Sequence, residues 1–426
     1  MFLRRLFGKD GGGENLFTLC TALMRESGEY ASSALAGEAL DAYQKLDEQG
    51  RAQFFDVLAR EYSPAPEAVS QAAAAYQADP SAGNLARLFA TVEPARQELF
   101  RRLNMAPGGT AALVEMRKEL LKSLRTRPQW AVIDADLMHL LRSWFNRGFL
   151  RLERIDWRTP AIILEKLIEY EAVHAIQGWR DLRRRLEADR RCFAFFHPQL
   201  PDEPIIFIEV ALTRSMIAHI QPLLDINSPV SSASCDCAMF YSITNCQEGL
   251  RGISFGNLLI KQVAEELKRE FPHLRRFATL SPLQGFRRWL EQKRVQHPKV
   301  LAPLAKLDQP DWHLGEISDA LQRTLMRLCA YYLLRVKQGQ EALDPVARFH
   351  LGNGAALERI NWMGDISETG MARSAGLMVN YVYALNDIER NHERYWREKA
   401  IVASSAIEKM ARECVLASPA EKDAVA

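Results

Sequence analysis

Long apolar runs are missing from this chain. No stretch reaches the ~18 consecutive apolar residues of a membrane-spanning helix, so an integral helical membrane protein is set aside. A surplus of either charge is missing too: 55 Lys plus Arg stand against 53 Asp plus Glu, a net of +2. Nucleic acid as the main ligand would call for a strongly basic face. Cysteine is sparse, with seven in 426 residues, an odd number in no regular framework. These read as reduced thiols of a reducing compartment. The start, Met1–Gly8, carries two arginines but meets Lys9, Asp10 and the Gly11–Gly13 run too soon to supply a signal-peptide core. Asp423–Ala426 carries no Ser-Lys-Leu address. The expected location is therefore cytoplasmic.

What is present is ordinary in proportion: 48% hydrophobic and 25% charged residues, as in soluble globular proteins. The length predicts two domains. From residue 14 to 149 the pattern is helical. Leu113, Met116, Leu120 and Leu124 repeat at helical spacing, with Glu115, Lys118, Glu119 and Lys122 between them. Further helices are expected around Leu16–Glu26, Leu40–Ala59, Pro66–Tyr76, Gly83–Phe89 and Ala95–Leu103, separated by Pro and Gly breaks. Asp134 or Asp136 is positioned to cap the helix through Leu137–Trp144. Short helices in series make a bundle, and this one holds few chemical groups. His139 lies within an apolar run and reads as a packed histidine.

After Gly148 the texture changes. A helix carrying Ile163, Leu164, Leu167 and Ile168 follows Thr159-Pro160. The basic segment Trp179–Leu186 reads as a solvated face. Strands are expected at Cys192–Phe196, at Ile205–Leu212 (apolar enough to be buried on both faces), at Cys237–Asn245 and at Phe277–Leu280. Helices are expected at Asn257–Glu270, around Trp289 and at Ile317–Val336. Then come a Gly-rich turn at Gly364–Gly376, an apolar Leu377–Leu385 and a terminal helix near Asp387–Leu416. Strands interleaved with helices predict an α+β domain. The expected division is a helical bundle over 1–149 and a catalytic domain over 150–426.

Four motifs carry chemistry. Gly249–Asn257 lies between a strand and a helix, where free N–H groups attract phosphate and Arg251 adds charge-assisted bonds; a plain strand-to-helix turn is the alternative. Its place, strand, Gly/Arg turn, amphipathic helix and then strand, is similar to acetyltransferase folds that bind acyl-coenzyme A. Ser281 precedes Pro282, which forces it into an extended conformation at a strand end with its hydroxyl outward; helix capping is the alternative. His350, beside Gly352, Asn353 and Gly354, reads as an exposed acid or base, or as a histidine bonding its own turn. Tyr381 and Tyr383 share one face of a strand, where packing alone is the alternative. Cys235, Cys237 and Cys246 lack the fourth ligand of a structural zinc site, which leaves surface redox chemistry or an intersubunit disulfide as the readings.

Together these segments closely resemble the malonyl-CoA decarboxylase family. The resemblance rests on Tyr170–His174, Phe196-His-Pro, Phe240-Tyr-Ser, Gly249–Asn257, Glu270–Leu274, Leu280-Ser-Pro282 with Gly285-Phe286, Leu325–Ala330, Phe349–Leu351 with Asn353-Gly354, Arg359–Met363, and Gly376-Leu-Met with Asn380-Tyr381. It spans most of 150–385. It implies a helical N-terminal domain, an acetyltransferase-like α/β catalytic domain, and conversion of malonyl-CoA to acetyl-CoA and carbon dioxide without metal or organic cofactor. The family's Ser–His pair maps onto Ser281 and His350, and an active-site tyrosine onto Tyr383. The malonyl-CoA-binding turn maps onto Arg251, Gly252, Ile253, Ser254, Phe255, Gly256 and Asn257, with Ser281 and His350 also at the substrate. Some relatives carry glutamate where this chain has Ser254, so any orienting task of that carboxylate passes to another group or to water. The resemblance also implies a homo-oligomer, a tetramer, assembled through the helical domain. Two rivals share the fold: an acyl-CoA-dependent N- or O-acyltransferase, and a non-catalytic CoA-binding regulator.

Overall fold

The computed structural model of the chain describes residues 12–227, 235–253, 259–309, 311–315 and 317–417. The chain forms two compact units. The first takes Met1–Arg151 together with Phe196–Pro204 and Gln247–Phe255. Among its described residues are eight α-helices: Gly12–Arg25, Glu29–Gln44, Glu48–Glu61, Pro66–Ala78, Ala82–Val92, Ala95–Leu103, Gly109–Ser123 and Ala131–Trp144. Their apolar stripes meet in a core of Leu23, Phe55, Leu58, Leu99, Phe100, Leu113, Leu120, Leu137 and Leu141. The single helix expected over Leu40–Ala59 is two. Asp47 accepts from Gly50 N–H at 2.7 Å and starts a new helix, because a side chain that satisfies an orphan donor favours a helix start over continuation. Asp134 and Asp136 are not caps. Asp136 ion-pairs with the buried Arg96, and Asp134 receives Arg117 at 2.8 Å.

The second unit carries the sheet, whose strands we number β1 (Arg151–Ile155), β2 (Arg190–His197), β3 (Leu200–Thr213), β4 (Cys237–Asn245), β5 (Arg276–Thr279) and β6 (Ser281–Pro282). After a two-stranded ribbon of β7 (Lys337–Gln338) and β8 (Glu341–Ala342) come β9 (Ala356–Asn361) and β10 (Met378–Val382). The sheet order is β1-β2-β3-β4-β5-β10-β6, with β9 on β10. β3 is buried throughout 204–213, as its near-continuous apolar run predicts. β3 and β4 are antiparallel, and their register slips at the Glu209/Val210 step so that Tyr241 has no partner in the ladder. β4 and β5 are parallel from Cys237↔Arg276 to Phe240↔Thr279. There they part: β4 runs on to Asn245 beside β3, while the chain of β5 continues into β6 beside β10. A mixed sheet with two parallel strands that separate at their C-terminal ends is the acetyltransferase-like arrangement.

Two expectations fail in this unit. The basic segment is not a solvated face. In the helix Trp179–Arg185, Arg184 and Arg185 are buried, on Asp189 (2.7 and 2.9 Å) and on Glu209 (2.8 Å) respectively. Charge counting along the helix could not see Glu209, which comes from β3, nor the burial of Asp181 and Asp189 beside the same arginines. The terminal helix is also broken. Ile388–Glu393 runs into a π-helical turn, Arg394–Glu398, which stops at Lys399 with φ +55°, and a separate helix follows at Ser405–Arg412. The Gly364–Gly376 turn contains a short helix, Glu368–Ser374, capped by Ser367. No helix among the described residues is long and apolar enough to cross a membrane.

Candidate active site

The site grows from the point where β5 gives way to β6. In the antiparallel ladder Val379 faces Ser281 and Val382 faces Ala278. Between them the regular backbone bonding is replaced. Tyr381 N–H donates to Thr279 Oγ1 (3.1 Å), Asn380 Nδ2 donates to Thr279 O (2.6 Å), and Leu280 N–H turns to Phe240 O (2.9 Å). The strand thus bends without leaving buried backbone groups unpaired. The register places Thr279, Ser281, Tyr381 and Tyr383 on one face.

His350 comes to that face from the helix Pro345–Gly352. Its Nε2 lies 2.9 Å from Ser281 Oγ, its Nδ1 lies 2.8 Å from the Tyr383 hydroxyl, and its ring stacks on Tyr381 at 4.6 Å. Ser281 Oγ donates to Thr279 Oγ1 at 2.8 Å. The donor count then assigns the tautomer: a serine that gives its one proton to Thr279 accepts from His350 Nε2–H, so Nδ1 accepts from Tyr383 O–H. Four side chains form one hydrogen-bonded chain.

All of it is buried. Ser281 is 5% exposed, His350 3% and Tyr383 1%. This corrects two expectations: the serine hydroxyl is not presented outward, and the histidine is not an exposed acid or base. Sequence identified the Pro and Gly/Asn turns beside these residues but not the depth at which they sit. Burial pushes the His350 pKa down to about 3 and raises the Tyr381 and Tyr383 phenols well above their ordinary range, because a low-dielectric site disfavours either charged form. The ring is therefore neutral at pH 7.

The glycine turn belongs to the first unit. Gly249 packs so tightly on the helix Gly109–Ser123 that a Cβ would lie 2.0 Å from Val114 O, and Gly252 has φ +82°. Arg117, buried, donates to Gly249 O (2.6 Å) and Arg251 O (2.9 Å), which clamps the backbone while the Arg251 side chain stays exposed. Sequence reading passed over Arg117, although a charge within the Leu113–Met116–Leu120 stripe was a signal of a buried pair. Ile253 is buried, whereas Ser254, Phe255, Gly256 and Asn257 lie outside the described residues. The Nδ1 side of His350 is held by Tyr383. All seven cysteines are buried, which removes the basis for surface redox chemistry at Cys235, Cys237 and Cys246.

The comparisons agree with this architecture. Residues 148–422 match the family model for the malonyl-CoA decarboxylase C-terminal domain, and residues 62–145 that for the N-terminal domain. The crystal structure of malonyl-CoA decarboxylase from Rhodopseudomonas palustris is 49% identical, with a TM-score of 0.89 over 93% of this chain and 99% of its own. That from Agrobacterium vitis is 47% identical, with a TM-score of 0.86 over 93% and 99%. The mitochondrial malonyl-CoA decarboxylase of Anser anser anser is 38% identical over 346 residues, 74% of this chain and 69% of the relative. With both domains matched in order and the solved relatives covered almost end to end, the chain belongs to the malonyl-CoA decarboxylase family.

Proposed function

We propose that the chain converts malonyl-CoA to acetyl-CoA and carbon dioxide, with His350 delivering the proton and Ser281 holding the departing carboxylate. Breaking the bond between the carboxyl carbon and the α-carbon sends an electron pair into the thioester carbonyl. The product is carbon dioxide and an enolate, which the thioester itself delocalises. What the protein adds is orientation, a dry pocket and a proton. Ser281 turns its hydroxyl from Thr279 to the malonyl carboxylate and sets the breaking bond across the carbonyl plane. His350 Nε2–H protonates the α-carbon, and Nδ1 recovers a proton from Tyr383. The phenol is then reprotonated from solvent after the product leaves. The observation that carries this reading is the buried chain Thr279–Ser281–His350–Tyr383. The glycine turn at Arg251–Asn257, held through Arg117, is proposed to cradle the coenzyme A phosphates.

Malonyl-CoA supplied without any acceptor tests the activity. Release of acetyl-CoA and carbon dioxide in equal amounts is expected. An acyltransferase or a binding-only protein would give neither.

The protonation state makes a second prediction. Since burial holds His350 near pKa 3 in the free enzyme, kcat/KM should show no inflection at the ordinary histidine value of about 6.5. An inflection there that disappears in His350→Asn would contradict a neutral proton donor.

We further propose a homo-oligomer, a tetramer, built through the helical unit. The helix Ala82–Val92 buries none of its residues within the chain although it carries Leu85, Leu88, Phe89 and Val92. Light scattering at micromolar concentration should give a mass about four times that of the chain, and a monomer mass would rule assembly out. A cytoplasmic location fits seven buried thiols, which suit a reducing compartment.

A further inference from the structure

Asp344 is almost fully buried, and its carboxylate faces two ways. Oδ1 accepts from Val346 N–H (3.0 Å) and Ala347 N–H (3.1 Å), capping the helix that carries His350 six residues on. Oδ2 accepts from Gln284 N–H (3.2 Å) and Gly285 N–H (3.3 Å), in the segment that leaves Ser281, and from the Tyr332 hydroxyl (3.3 Å). Among the described residues no Lys, Arg or His forms an ion pair with it; five neutral donors satisfy the buried charge instead. The packing is close: a Cβ on Gly285 would lie 2.5 Å from the Tyr332 oxygen, so the glycine is needed for the phenol to reach the carboxylate.

A cap alone needs only the Oδ1 half. The Oδ2 half does something a cap does not, because it ties the strand end bearing Ser281 to the helix bearing His350. We propose that Asp344 is a positioning residue that sets the separation of Ser281 Oγ and His350 Nε2, joining through one carboxylate two segments some sixty residues apart in sequence. The inference rests on the reading of Ser281 and His350 as the reacting pair. Its chemistry is geometric. A displacement of about 1 Å at a reacting group can cost ~10²-fold in rate, and the strap acts on both sides of the 2.9 Å contact, in addition to the hold of Tyr381 and Tyr383 on the imidazole.

Asp344→Asn separates strap from cap. Asparagine is as good a cap as aspartate, so Oδ1 can still hold Val346 and Ala347. Its Nδ2 is a donor and meets the N–H groups of Gln284 and Gly285, which can only donate, so the strap opens. In the otherwise intact enzyme we expect kcat to fall roughly 10- to 100-fold with KM changed less than about twofold. In a His350→Asn background the same substitution should lower the residual rate less than about twofold, because groups that act as a unit are not additive. A cap or a general fold defect would instead lower melting temperature without sparing the second background. Tyr332→Phe removes a single strap donor and keeps the aromatic packing, so it gives the same pattern at about threefold even if Asp344→Asn does not fold. Full kcat in both variants overturns the positioning role while leaving the Ser–His reading intact. An equal loss with and without His350 overturns it as well. Near-normal kcat in His350→Asn alone would instead show that the pair is not the reacting pair, and the inference would fall with it.

Discussion

Replacing His350 by asparagine should lower kcat on the order of 10²–10⁴-fold, the usual worth of a positioned general acid, with acetyl-CoA binding largely kept. Asparagine can still donate a hydrogen bond to Ser281 but cannot pass a proton from Tyr383 to the substrate. Ser281→Ala should also depress kcat, through the lost hold on the carboxylate. The double variant should be little worse than the poorer single one, since the two groups share one hydrogen-bonded chain. Both are buried, and the imidazole stacks on Tyr381, so each change also costs packing. Carbon dioxide release, acetyl-CoA binding and melting temperature measured on the same three proteins separate the effects. If the residues only pack the strand end and the helix, melting temperature falls and turnover per folded molecule stays. Near-wild-type turnover in His350→Asn would take the imidazole out of the chemistry and leave Tyr383 as the next acid.

The groups proposed to react were legible from local pattern only one by one, and as a set only through the family resemblance. Pro282 announced a strand end at Ser281, and Gly352, Asn353 and Gly354 announced a turn beside His350. The 2.9 Å contact spans 69 residues of sequence, and no local pattern encodes such a distance. Thr279 and Asp344 escaped notice for a related reason. Each looks like an ordinary strand or cap residue, and its second set of hydrogen bonds goes to segments far along the chain. Helix and strand existence followed well from periodicity, because stripes such as Leu113–Met116–Leu120 report burial directly. Breaks inside periodic runs followed poorly: one helix ends at Gln44 and Asp47 caps the next within an unbroken apolar pattern. Buried charge was least visible. Arg184 and Arg185 sit in a segment whose composition reads as solvated; Asp189 is near in sequence, but only the fold brings Glu209 to them and buries the whole group.

That buried charge should weigh heavily in stability, and Arg185→Met tests it. Arg185 donates to Glu209 (2.8 Å), to Asp181 (3.0 Å) and to His174 O (2.8 Å). Glu209 lies in the middle of β3, essentially without solvent. Burial pushes its carboxyl up to about 8, even against the pull of Arg185. Methionine fills much of the arginine's volume and removes the charge, so Glu209 is left in the core alone. Breaking a buried pair from one side costs about 3–5 kcal/mol, against ±0.5 kcal/mol for a change on a solvated face. The loss should also depend on pH. A carboxyl whose folded pKa lies above its unfolded value loses stability as pH rises past that unfolded value. The parent shares that loss up to its own folded value of about 8. The deficit of Arg185→Met should therefore be larger at pH 9, where the parent ionises against Arg185 and the variant has no partner for the charge, than at pH 6, where Glu209 is neutral in both. Pairing the change with Glu209→Leu removes the orphan charge and should recover most of the stability, because a packed apolar pair is often no worse than a buried ion pair. Urea midpoints at the two pH values, read with an unchanged slope, measure all three variants. The consequence reaches the sheet's parting point. His174 belongs to a loop that Glu171 fastens to β4 through Ser242 Oγ (2.7 Å) and the N–H groups of Val173 and His174. Loss of the Arg185 bond to His174 O should loosen that loop first, so amide exchange at Val173 and His174 should rise in Arg185→Met before the global transition. A midpoint within error of the parent, at both pH values, would mean that Glu209 is already neutral and that Arg185 contributes only its packing.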